Sequence, residues 1–311
     1  MSASGPPFPP RRPLGRTGFV ATRLGCGDLA DRQVPIERCV ETLVRALDAG
    51  LNVVDTAPAY EDGYSEEIVG RALRGRRDSV FLVDKIDHLR EPVSPQVAAS
   101  LGRLGRERAD LFVFHDCSTR EDWAAVQAPG GGLDQLRAEI AAGRARFAGV
   151  SSHDPEVLRA ALDSGRCDVV MFPIGPFVDR RYETEVLPLA KTRGVGTVCF
   201  KTFGAGKLLG DTEGYSRPLQ ARPRGKVSSG GLEDTRPALP CLSVEECVRY
   251  TLTLDPDVAL LGLSFPNEQD AAFAAAAAFE PLSEDEMVDV RRRAGDAIRG
   301  KGRCWWNPEP S

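Results

Sequence analysis

The feature that most narrows the folds open to this chain is an alternation. Eight short β-branched or apolar runs recur along it, at Thr22–Cys26, Asn52–Asp55, Val80–Asp84, Asp110–Phe114, Phe147–Val150, Asp168–Phe172, Gly196–Phe200 and Val258–Leu261. Amphipathic segments separate nearly all of them. In Ile36–Ala49 the residues Ile36, Val40, Leu43, Val44 and Leu47 fall at helical spacing. Glu66–Leu73, Pro95–Gly105, Leu133–Ala142, Pro155–Ser164, Tyr182–Arg193 and Val244–Leu254 read the same way. The last begins after Ser243 with Glu246 three residues on, the spacing of a capping box. Strands that alternate with helices pair in parallel, because a parallel neighbour is reached only by a crossover. Eight such units predict a (β/α)8 TIM barrel. An open doubly wound sheet is the rival. It would carry GxGxxG between its first strand and helix, and Gly25-Cys26-Gly27 is only a fragment of that motif.

The 311 residues suit one such barrel. Residues 1–13, rich in Pro and Ser, are expected to be a flexible N-terminal tail, and 14–311 a single barrel domain. The stretch 210–240 is long, polar and rich in Gly, Pro and Arg, which predicts a loop after the seventh strand that is either a lid or disordered. A helix over Glu284–Ile298 precedes a tail holding Trp305 and Trp306. No run of eighteen apolar residues exists, so no membrane-spanning helix is expected, and the N-terminus has no apolar h-region of a secretory signal. With 40 basic and 45 acidic residues the net charge is −5, which argues against a nucleic-acid partner. The eight cysteines form no CxxC pair and read as reduced thiols of a cytoplasmic protein. Nothing in the sequence sets the oligomeric state.

In a barrel, the residues just after strand ends converge on one face. Asp55 ends the second run, Tyr60 follows it by five residues, and Lys85 and His115 come directly after the third and the fourth. These four types suit carbonyl reduction. A phenol is a weak acid, and an ammonium beside it lowers its pKa by stabilising the phenolate. Lys85 is the candidate ammonium, with Asp55 as its counter-charge. A neutral imidazole at His115 can donate a hydrogen bond to a carbonyl oxygen, and Tyr60 can then deliver the proton while a cofactor delivers hydride. Any one of these residues alone is unremarkable, but all four at three successive strand ends are not.

The same residues resemble the aldo-keto reductases along nearly all of the chain. Pro13-Leu14-Gly15-Arg16-Thr17-Gly18 and Arg23-Leu24-Gly25 are similar to the family's start. Its most specific motif is matched by Asn52-Val53-Val54-Asp55-Thr56-Ala57-Pro58-Ala59-Tyr60, with Ser65-Glu66 and Val69-Gly70. Lys85, Phe114-His115-Asp116 and Gly149-Val150-Ser151-Ser152 follow in family order. The resemblance implies a barrel that reduces a small-molecule aldehyde or ketone with NADPH, or with NADH. It implies Asp55, Tyr60, Lys85 and His115 as the catalytic tetrad. For the cofactor it implies Gly27, Ser151, Ser152, Phe200, Lys201, Phe203, Ser264 and Gln269, and for the substrate Trp123 and Trp305.

The chain departs from the family pattern in the cofactor region. Ser152 stands where the family usually has Asn, Met171 where it often has Gln, Phe200 where it has Tyr, and Lys201 where it has Ser. The segment Gly262–Gln269 lacks the basic residue that usually meets the 2′-phosphate. Only weak discrimination between NADPH and NADH is therefore expected, within about tenfold, unless Arg222, Arg224 or Lys226 of the long loop supplies the charge. His153-Asp154-Pro155-Glu156 resembles a bacterial branch, some of whose members carry a cysteine-ligated iron–sulfur domain. With Cys304 as the one tail cysteine, no cluster is expected. Packing on the outside of the barrel is the plainer reading of Trp305 and Trp306. Two other functions stay open: a cofactor-binding regulatory subunit with little turnover, and a metal-dependent barrel hydrolase. No metal is expected, since the chain has three histidines and no HxH after its first strand.

Overall fold

The computed structural model describes residues 11–32, 34–76, 80–209, 240–262, 266–299 and 304–307. A hairpin of β1 (Arg11–Pro13) and β2 (Val20–Thr22) comes first. Eight parallel strands follow: β3 (Leu24–Cys26), β4 (Val53–Asp55), β5 (Phe81–Ile86), β6 (Leu111–Phe114), β7 (Phe147–Ser151), β8 (Val169–Pro173), β9 (Gly196–Phe200) and β10 (Val258–Leu261). They close into a barrel, with β10 pairing β3 on one side and β9 on the other. Around it run α1 (Ile36–Asp48), α2 (Tyr64–Ala72), α3 (Val93–Leu104), α4 (Arg120–Gln127), α5 (Gly132–Ala141), α6 (Pro155–Asp163), α7 (Leu187–Arg193), α8 (Val244–Leu254), α9 (Pro266–Ala277) and α10 (Glu284–Ile298). A π-helical turn over Tyr182–Val186 leads into α7. The predicted (β/α)8 architecture is the one present.

The alternation of strand side chains decides what reaches the site. In β4 to β10 the odd positions of the first five runs point inward, as do the even ones of β9 and β10. Val53, Phe81, Val83, Leu111, Val113, Val169, Met171, Val198, Val258 and Leu260 fill the interior. Residues two further along the same parity, Asp55 and Lys85 among them, emerge at the C-terminal mouth. Phe81 stacks on Phe147 at 6.0 Å between ring centroids, and room for such rings comes from small residues at other inward positions. Gly149 is one: a Cβ there would lie 2.2 Å from the Val169 carbonyl oxygen and 3.0 Å from Val113 Cγ1.

The N-terminal end is closed by the hairpin, which overturns part of the expected tail. Residues 11–13 are strand, not loose chain. Arg12 pairs with Asp255, and its Nε lies 3.1 Å from Asp257 Oδ1. Leu14 and Ala21 are fully buried beneath the barrel. The run expected at Thr22–Cys26 also breaks, because Arg23 turns out to donate to the Leu252 carbonyl at 2.8 Å and to Asp255 at 2.9 Å. The capping box of α8 is formed, with Glu246 N–H donating to Ser243 Oγ at 3.1 Å and Ser243 N–H to Glu246 Oε2 at 2.8 Å. Helix α4 is absent from the periodicity reading; Thr119 starts it by accepting the Asp122 N–H at 3.0 Å. Residues 1–10 and 210–239, with the expected lid and its Arg222, Arg224 and Lys226, lie outside the described residues.

Gly149→Ala should destabilise the fold by about 1–3 kcal/mol, because the clash is with backbone and the strand must move. Equilibrium urea unfolding should show a lower midpoint at an unchanged slope.

Candidate active site

The barrel mouth is built around a buried ion pair. Lys85, in β5, and Asp55, the last residue of β4, have side chains only 2% and 4% exposed. Lys85 Nζ donates to Asp55 Oδ1 at 2.6 Å and to the Thr56 carbonyl at 2.7 Å. The same ammonium lies 4.5 Å from the centroid of the Tyr60 ring. Burial alone would drive the Lys85 pKa down. The charges of Asp55 and Tyr60, and hydrogen bonds to both, outweigh that and raise it, so Lys85 stays an ammonium. Burial pushes the Asp55 carboxyl up while Lys85 pulls it back.

Tyr60 sits in the turn after β4, its N–H donating to the Ala57 carbonyl at 3.2 Å. Its pKa runs against the sequence expectation. Lys85 does lower it, as anticipated, but burial raises it by more, and Asp55 and Asp28 add to the rise. Tyr60 is therefore a neutral phenol with a proton to give. His115 follows β6, and its ring meets the Tyr60 ring edge-on, with centroids 5.7 Å apart and planes at 85°. The four residues chosen from the sequence thus come together in one place.

One member of this constellation escaped the sequence reading. Asp87, just past β5, places Oδ1 2.5 Å from His115 Nδ1 and accepts the Ala59 N–H on Oδ2 at 2.7 Å. Burial would raise its carboxyl, but the hydrogen bond and charge of His115, the Ala59 N–H and Lys85 hold it below the usual range. Parity could have found it, since Asp87 lies two residues beyond Lys85 and so at the same mouth.

A second cluster borders the first. His153, after β7, directs Nδ1 to Asp116 Oδ1 at 3.0 Å, and Asp116 also accepts the Ser118 hydroxyl at 2.6 Å. The His153 ring lies 5.3 Å from that of Phe200 and 5.0 Å from that of Trp305. Its Nε2 is buried with no hydrogen-bond partner among the described residues. Lys201, at φ +75°, sets Nζ 4.4 Å from the Trp305 ring and 5.6 Å from that of Phe200. Trp306 is fully buried and donates through Nε1 to the Phe177 carbonyl at 3.1 Å, while Asn307 Oδ1 accepts the Asp179 N–H at 2.9 Å. These contacts dock the tail on the mouth, not on the outside of the barrel as the plainer reading had it. Trp305 is 45% exposed there.

The other expected contacts divide. Ser151 is buried at the end of β7. Ser152 Oγ is held in the turn into α6 by the Asp154 N–H at 3.1 Å. Gly27 follows β3 and donates its N–H to the Leu261 carbonyl at 2.8 Å. Met171 lies inside the barrel. Three more of these positions are buried. Gln269 is fully buried against α1, donating to the Thr42 carbonyl and accepting from Arg45, both at 2.9 Å, so its amide is engaged between helices. Trp123, on α4, is buried in the helix layer and acts as a packing anchor. Phe203 is likewise buried in that hydrophobic core. Ser264 lies outside the described residues. Among the described residues no group of three or more His, Cys, Asp or Glu side chains is arranged around a common metal position, and no helix is long and apolar enough to cross a membrane.

Comparison with known proteins agrees with this geometry. The sequence model of the aldo/keto reductase family matches residues 23–292. The chain is 29% identical over 231 residues to the NADH-specific methylglyoxal reductase of Escherichia coli, covering 64% of this chain and 68% of that one. It is 32% identical over 230 residues to the aldo-keto reductase YhdN of Bacillus subtilis, covering 65% of each. Among solved structures, an aldo-keto reductase of Bacillus halodurans in its holo form superimposes with a TM-score of 0.70 at 24% identity, over 91% of this chain and 95% of that one. An aldo-keto reductase of Klebsiella pneumoniae in complex with NADPH gives 0.64 at 23% identity, over 88% and 91%. At these identities the structures speak to the fold.

His153 carries a pH signature. Burial is the first cause that holds its imidazole below the usual range, so it is neutral in the folded protein. The unfolded chain takes up that proton first as pH falls. Its contribution to stability is then present above about pH 6.5 and is lost as pH drops below it. His153→Gln should lose less stability than the parent between about pH 7.5 and 5.5. Equal losses in denaturant titrations at the two pH values would mean that His153 is not held neutral.

Proposed function

The chain belongs to the aldo/keto reductase family, and from that membership we propose that it is an NAD(P)H-dependent oxidoreductase that interconverts an aldehyde or ketone and its alcohol, with Tyr60 as the general acid. The observation that carries this reading is the contact of one ammonium, Lys85, with both Asp55 and the Tyr60 ring, at 2.6 Å and 4.5 Å. When bound, a dihydronicotinamide supplies the hydride for the carbonyl carbon. Everything else falls to the chain. The neutral Tyr60 phenol gives its proton to the substrate oxygen as negative charge develops there. The phenolate left behind meets the Lys85 ammonium, which is fixed in advance by Asp55 and the Thr56 carbonyl, so no reorganisation is needed at that moment. His115 binds the same oxygen from beside the phenol, and water returns a proton to Tyr60.

The residues present fit a nicotinamide. The Phe200 ring can stack on its face although the hydroxyl of the usual tyrosine is missing. The orphaned Nε2 of His153 supports the fit further. Asp116 is held below the ordinary carboxylate range, first by its hydrogen bond from His153, and so the shared proton belongs to Nδ1. Nε2 is then a buried acceptor beside Phe200, and the amide N–H of a carboxamide is a donor of the kind it lacks. Ser151 and Lys201 would complete the hold on the cofactor, and Trp305 would line the way in for the substrate.

Tyr60→Phe keeps the ring and removes the proton. In a panel of aldehydes and ketones its kcat should fall by about 10²–10⁴-fold while Kd for NADPH and NADH, read by fluorescence, stays unchanged. An unaltered kcat would sink the assignment. Lys85→Met should abolish turnover and leave the Asp55 carboxylate buried alone, at a cost of about 3–5 kcal/mol in denaturant unfolding. Adding Asp55→Asn should return stability without returning activity.

A further inference from the structure

The second carboxylate at the mouth, Asp87, carries an inference about His115. Asp87 is ionised and has no proton to give, so the proton on its 2.5 Å contact with His115 belongs to Nδ1. The carboxylate is itself fixed, because its other oxygen accepts the Ala59 N–H at 2.7 Å, one residue before Tyr60. The His115 backbone is fixed as well, its N–H donating to the Ile86 carbonyl at 2.9 Å. Both side chains are shielded, 21% exposed for His115 and 14% for Asp87, which keeps water from competing for the contact.

We propose that Asp87 is a positioning residue: it holds the His115 proton on Nδ1 and leaves Nε2 as the nitrogen that meets the reacting oxygen beside Tyr60. This rests on the reductase reading above and changes the role of His115 within it. A neutral His115 in this tautomer presents a lone pair, which suits the hydroxyl of an alcohol. To donate to a carbonyl it must carry a second proton and become an imidazolium. Charged and titratable groups interact with that ring from several elements: Asp87 from the loop after β5, Asp55 and Tyr60 from β4 and its loop, Asp116 on its own loop and His153 beyond β7.

Asp87→Asn tests this with a defined chemical outcome. The Ala59 N–H requires an acceptor, so the amide turns its oxygen there and its NH2 toward Nδ1. His115 must then accept on Nδ1 and move its proton to Nε2, where it donates without being charged. Histidine-selective 15N labelling reads the tautomer directly, and the chain has three histidines, so His115→Gln assigns the signal. At a pH where imidazoles are neutral, wild-type His115 should be protonated on Nδ1 and that of Asp87→Asn on Nε2. In the variant, KM for the alcohol should rise about tenfold more than KM for the carbonyl, because the neutral ring then donates to the bound oxygen instead of accepting from its hydroxyl. The Nε2–H tautomer in the wild type, or no switch in the variant, would overturn the proposal, and the wild-type spectrum decides even if the variant does not fold. If the tautomer switches but no carbonyl is turned over with either cofactor by the wild type, the reductase reading fails and the hold of Asp87 on His115 stands.

Discussion

The mouth of this barrel depends on two charges that have almost no contact with water. Taking Lys85 and Asp55 out of solvent is unfavourable for each by several kcal/mol, and their attraction offsets this only if the geometry is good and the remaining donors are satisfied. Both conditions hold. Nζ has the carboxylate on one side, the Thr56 carbonyl on another and the Tyr60 ring on a third. The pairing of adjacent parallel strands β4 and β5 makes this possible, since it holds the two residues in a fixed stagger, with Asp55 in register with Val83.

The strand that carries Lys85 is also anchored from behind. Asp84 has the opposite parity and points into the helix layer, where Oδ1 accepts the Lys85 N–H at 2.8 Å. It is fully buried, and burial, with Glu66 next in effect, pushes its carboxyl well above the usual range. Glu66 is buried too and is gripped by Arg103, with one contact at 3.1 Å to NH2. Polar residues thus lie on both faces of β5, with Lys85 inward and Asp84 outward. The aromatic cluster of Phe200, His153, Trp305 and Trp306 plays the matching part on the far side of the mouth. It surrounds Lys201 with rings, and cations gain from ring faces at such distances.

Much of this was legible in the residues. The eight apolar runs mark the barrel strands, because a strand covered on both faces is apolar along most of its length, and only Thr22 was assigned to the wrong sheet. The boundaries of α10, Glu284–Ile298, and the capping box at Ser243 follow from local chemistry alone. Helix α4 was missed because eight residues with two buried side chains make too short a pattern. The strand at 11–13 was missed because it is three residues long and its hairpin with β2 is anchored through Arg12 to Asp255 and Asp257, more than 240 residues away.

By itself the sequence determined the architecture and the identity of the four residues at the mouth, since strand periodicity and motif spacing are local properties. Only the tertiary structure decided their states. It kept Tyr60 a neutral phenol, because burial outweighs the pull of Lys85. It brought Asp87 to His115, turned Gln269 to α1 and docked the tryptophans on the mouth. Each of these depends on which distant groups share a small, poorly solvated volume, and charge and hydrogen bonding in such a volume are set by three-dimensional neighbours, not by neighbours along the chain.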